Sequence, residues 1–83
     1  MDYLILQGAE AFNNDERKTA KNLLTQAIKL HPDDEDAWSW LYHVTDNELD
    51  RIICLQHMLR INLANQKARE IMNNLVEIQR PDL

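Results

Sequence analysis

Residues 20–44 read AKNLLTQAIKLHPDDEDAWSWLYHV, and they hold a helix, its stop and the start of the next. Ala20, Leu23, Leu24, Ala27, Ile28 and Leu30 share one face at helical spacing. His31-Pro32 ends that pattern, because proline disfavours helix at the residue before it. Asp33-Asp34-Glu35-Asp36 then opens a new helix, since negative charge complements the positive end of a helix dipole. Ala37, Trp38, Trp40, Leu41 and Val44 are its apolar positions.

The same periodicity extends outward in both directions. Toward the N-terminus, Leu4, Gly8 and Ala11 form one stripe with Ile5 and Phe12 beside it. Asn13-Asn14-Asp15 follows, and Asn or Asp there is expected both to end one helix and to N-cap the next. Toward the C-terminus, Thr45 and Glu48 stand at capping-box spacing. Beyond them, Ile52, Leu55 and Leu59 lie on one stripe and Cys54, Met58 and Ile61 on a neighbouring one. Asn62 to Asn65 makes a short break. Ala68, Ile71, Met72, Leu75 and Val76 give a fifth amphipathic helix, ending before Pro81. Five helices joined by connections of about two to five residues are expected, as for antiparallel neighbours.

Composition agrees with an all-α reading. The 83 residues include one glycine, Gly8, and two prolines, Pro32 and Pro81, far too few turn residues for a β-rich domain. With 45% hydrophobic and 28% charged residues the chain has a globular balance, and its length allows one small domain with a thin core. The single Cys54 excludes an internal disulfide and fits a reducing, cytoplasmic compartment. No apolar run approaches the roughly 20 residues that span a bilayer, and Asp2 without a basic n-region does not read as a secretory signal. A net charge of −5 has the wrong sign for tracking phosphates or an anionic lipid surface, so neither nucleic acid nor membrane is expected as a partner.

The chain also resembles itself. At a shift of 34 residues the six apolar positions of the second helix meet Cys54, His57, Met58, Ile61, Asn62 and Ala64, of which four are apolar. At a shift of 31 they meet Arg51, Cys54, Leu55, Met58, Leu59 and Ile61, of which five are apolar. The shorter register also sets Ala37 against Ala68. Helices three and four therefore read as helices one and two with about one turn removed, and the fifth helix begins a third unit.

These residues resemble the tetratricopeptide repeat (TPR) family, whose hairpin pattern W-x2-L-G-x2-Y, A-x3-F, P is a set of packing requirements. Leu4, Gly8 and Ala11 take the Trp, Gly and Tyr positions of a first repeat over about residues 2–32, with Ala20, Leu24 and Ala27 in its second helix and Pro32 as terminator. Trp38 and Leu41 match in a second repeat over about 33–63, where Tyr42 replaces the glycine and Arg51 and Leu63 replace Ala and Pro. A capping helix over about 65–79 would follow, with Arg69, Glu70, Asn73, Asn74 and Glu77 as its polar outer side. The resemblance spans about 75 residues and implies one domain, a right-handed array of stacked antiparallel hairpins.

In that family the first helices of successive repeats line a concave groove that holds an extended peptide or a helix. Carried over, the groove positions are Ile5, Ala9, Phe12 and Asn13, then Asp36, Ser39 and His43, then Lys67, Glu70 and Asn74. The family's carboxylate clamp is not reproduced, because Ile5, Ala9 and Ser39 stand where polar or basic residues would be. Trp40 lies two residues from Trp38, about 200° around the helix. Trp38 is expected in the core, and Trp40 either packs on a neighbouring hairpin or is left exposed as a partner anchor.

Reactive chemistry finds little support. His31, His43 and His57 are not at i, i+3 or i, i+4 spacing, and Cys54 with His57 is the one close soft-ligand pair, short of the three or four ligands zinc needs. The acidic run 33–36 lacks the glycine and distal glutamate of a calcium loop. Cys54 reads as a small buried hydrophobe and His31 as a helix-end residue. No catalytic residue, cofactor or metal is expected. The expected function is a non-catalytic protein-interaction scaffold binding a peptide or helix on its concave face. Two alternatives stand beside it: a homodimer closed over the unfinished third unit, or a small acidic accessory subunit.

Overall fold

The computed structural model describes residues 2–78, with side chains through Leu75. The protein is all-α: α1 Tyr3–Asn13, α2 Arg17–Leu30, α3 Glu35–Val44, α4 Glu48–Ile61 and α5 Gln66–Ile78. Pro81 lies outside the described residues. Each helix packs on the next in sequence, and α1 also packs on α3. Two structural units are nearly equal in length: α4 begins and ends 31 residues after α2, and α3 is one residue shorter than α1. The second unit has therefore not lost a turn relative to the first: the links match as well, 14–16 against 45–47 and 31–34 against 62–65.

Local chemistry sets the boundaries. Asp2 caps α1 by accepting from the Leu4 N–H at 2.8 Å. The first helix ends in a Schellman motif, in which the Glu16 N–H donates to the Ala11 carbonyl at 2.9 Å and the Asp15 N–H to Phe12 at 3.1 Å. Asp15 carries the left-handed conformation this motif needs, with φ 62°. Asn14 and Asp15 thus end α1, but they do not cap α2, whose N-cap is Glu16 with no side-chain bond. Asp34 caps α3, accepting from the Asp36 and Ala37 amides.

At α4 the cap is Asn47, which accepts from Leu49 at 2.8 Å and Asp50 at 3.3 Å. The expected Thr45–Glu48 box does not form. Thr45 instead closes α3 and is buried, its hydroxyl without a hydrogen-bond partner among the described residues. At α5, Asn65 accepts from the Ala68 amide at 3.0 Å.

The core has two lobes. In the first, Ile5, Ala11, Ala20, Leu24, Ala27, Ala37 and Val44 bring α1, α2 and α3 together. Gly8 lets α1 and α2 approach closely, since a Cβ there would lie 2.7 Å from Leu24 Cγ. In the second lobe, Trp38, Cys54, Leu55, Met58 and Ala68 join α3, α4 and α5. Leu30, placed by periodicity on the inner face of α2, is instead 65% exposed at the helix end.

Polar ties fasten both ends of the helices. At one end Arg60 bonds Asp33 at 3.0 Å, and Glu35 accepts from Asn62 at 3.2 Å and Asn65 at 2.6 Å, joining the 31–34 and 62–65 links. At the other end Arg17 reaches the Val44 carbonyl at 2.9 Å and the Asp46 carboxylate. Exposed ion pairs of this kind contribute little each, so they fix register more than stability.

Candidate protein-interaction site

The two tryptophans have separate environments. Trp38 is 8% exposed, donates from Nε1 to the Pro32 carbonyl at 2.9 Å and stacks on His57 with ring centroids 3.9 Å apart. Its indole pins the α2–α3 link to the core. Trp40 is half-buried on the α1 side, edge-to-face with Phe12 at 6.1 Å and with His43 at 6.2 Å. Tyr42 meets His43 at 5.4 Å. An aromatic row, Phe12–Trp40–His43–Tyr42, therefore crosses from α1 along α3.

Beside this row, α3 and α5 enclose a cleft of about 120 Å³. Ser39, His43 and Lys67 line it, over a floor that includes Leu55, Met58, Ala68 and Ile71. A polar rim over an apolar floor suits an amphipathic segment, with side chains in the cleft and polar contacts at its lip. Ala9 and Asn13 line a separate, open depression on α1 with Tyr3 and Leu6. Asp36, Glu70 and Asn74 are exposed and line neither.

One expected position is corrected. Ile5 is 0% exposed, sealed in the first core lobe, and presents nothing to a partner. The reason is that α1 is flanked by both α2 and α3, so its buried arc is wider than one neighbour would require. Tyr42, Leu55, Met58 and Ile71 are the residues that the family pattern did not supply. Tyr42 occupies the pattern's glycine position, and the other three reach the cleft from α4 and α5.

No family model, curated protein or solved structure matches the chain.

Reactive groups are muted. Burial, reinforced by the Asp50 charge, pushes the Cys54 thiol up to about 11, which disfavours the nucleophilic thiolate. Among the described residues no cluster of three or more His, Cys, Asp or Glu is placed to hold a metal ion. No described helix is long and apolar enough to cross a membrane.

Proposed function

We propose that the chain is a TPR-like helical module that binds a peptide or helix of a partner protein on the face built from α1, α3 and α5. The observation that carries this reading is the aromatic row Phe12–Trp40–His43–Tyr42 running beside the Ser39–His43–Lys67 cleft. Aromatic side chains dominate interface energetics because they bury large area at low entropic cost, and Trp40 is half-buried on a preformed support. Docking here needs no rearrangement of the core. Affinity would come from an apolar side chain of the partner entering the cleft and from contact with the edge of the row. Without the clamp residues, a free C-terminal carboxylate is not the recognised group.

The test is affinity capture with the intact chain and identification of what is retained, repeated with Trp40→Ala and His43→Ala. A ligand retained by the parent and lost by both variants supports the reading. Capture of no protein ligand, alongside measurable turnover of a substrate, overturns it.

A further inference from the structure

The opposite face carries a second recessed surface of different chemistry. Although α2 and α4 both pack on α3, their backbones do not approach each other closely. The gap between them is a cleft of about 200 Å³ whose walls and floor include Trp38, Leu41, Ile53 and Cys54. Beside it Ile53 is 46% and Leu49 68% exposed, large apolar side chains left open to solvent. The charged groups on its lip are Lys21 and Asp50.

The charge on α2 is lopsided. Its sequence RKTAKNLLTQAIKL holds Arg17, Lys18, Lys21 and Lys29 and no acid, in a chain whose net charge is −5. At the helical angle per residue these four cations fall within a sector of about 120°, the sector that contains the cleft-lining Lys21 and Thr25. By contrast, α1 and α3 contain no Lys or Arg. The cleft is therefore apolar inside with Lys21 and Asp50 on its lip. Lys18 adjoins Lys21 in the neighbouring depression, where Arg17 is paired with Asp46, so the positive charge free to meet a ligand is that of Lys18 and Lys21.

We propose that this cleft is a second docking site, taking an acidic amphipathic segment of a partner protein whose apolar side chain enters between α2 and α4. The anionic side chains of the segment would run along Lys18 and Lys21, and its apolar face would cover Ile53 and Leu49. Opposite charge steers the encounter and fixes the orientation of the segment.

The experiment titrates the intact, isotope-labelled chain with a synthetic amphipathic Glu/Leu peptide, its Lys/Leu counterpart and anionic phospholipid vesicles. The expected result is that the Glu/Leu peptide shifts the Lys21, Thr25 and Ile53 amides and the Trp38 indole, leaving those of Ser39, His43 and Lys67 in place. Salt should weaken binding, and Lys18→Glu with Lys21→Glu should weaken it about tenfold or more, with Lys18→Gln and Lys21→Gln intermediate. Both double variants change exposed side chains, and their unfolding transitions should overlay the parent's. The proposal is overturned by equal binding of the Lys/Leu peptide or by shifts confined to the Ser39–His43–Lys67 cleft. It is also overturned if vesicles alone produce the response, or if the α2–α4 residues shift with protein concentration in the absence of peptide, which assigns the cleft to a second copy.

Discussion

Asp2 and His31 tie the first helix to the end of the second: Asp2 Oδ2 lies 3.0 Å from His31 Nε2 while Asp2 Oδ1 accepts from the Leu4 amide. One carboxylate thus caps α1 and meets the imidazole at the C-terminal end of α2. The His31 side chain is 59% exposed, so its contact with Asp2 is weak and the cap dominates. Asp2→Ala should cost about 1 kcal/mol, whereas Asp2→Asn, which keeps a capping oxygen, should cost less than about 0.5 kcal/mol. Urea denaturation of both variants checks the order, and equal losses would show that the pair with His31 outweighs the cap.

Gly8→Ala sets two effects against each other. Alanine favours a helix interior by about 1 kcal/mol over glycine. Its Cβ would lie 2.7 Å from Leu24 Cγ and 2.9 Å from Leu24 Cδ2, and Leu24 is fully buried. Overpacking of a core costs roughly 1–3 kcal/mol, so the net expectation is a loss of about 1 kcal/mol. A raised melting temperature would mean that α1 and α2 move apart without cost.

Thr45→Val should stabilise the protein. The Thr45 side chain is buried, its hydroxyl has no partner among the described residues, and valine keeps the shape. Removing an unsatisfied buried hydroxyl is worth on the order of 1 kcal/mol. Thermal unfolding compared with the parent reads it directly, and destabilisation would reveal that the hydroxyl is hydrogen-bonded in solution.

These residues show what could be read in the sequence and what could not. Pro32, the acids 33–36 and the Asn62–Asn65 break act through local backbone chemistry, so the ends of α2, α3 and α4 were legible. Thr45, Asp46 and Asn47 are all capping residue types within three positions. Burial of Thr45 against the core, a tertiary effect, leaves Asn47 as the cap. Leu4 and Ile5 are adjacent and equally apolar, and the wider buried arc of α1 seals Ile5. The α3–α5 cleft was half legible: Ser39, His43 and Lys67 follow from the repeat register, while Leu55 and Met58 enter from α4.

Cys54 provides a pH-dependent test. Its thiol is raised from 9.0 to about 11 by burial and then by Asp50. A group whose folded pKa lies above its unfolded value contributes stability that is fully present below about pH 9 and lost as pH rises toward 11. In the folded protein at pH 8 the thiolate fraction is about a hundredfold smaller than for an ordinary thiol. Alkylation at pH 8 should therefore be slow in buffer and fast in denaturant, and Cys54→Ser should remove stability loss specific to that pH range. Rapid alkylation of the folded chain would contradict the buried thiol.

The proposed interaction face is tested most directly by calorimetric titration of a captured peptide ligand into the parent and Trp40→Ala. Because Trp40 supports the aromatic row, its removal should weaken binding by about tenfold or more while the chain remains helical. Unchanged affinity in a folded Trp40→Ala variant would contradict recognition on the α1–α3–α5 face.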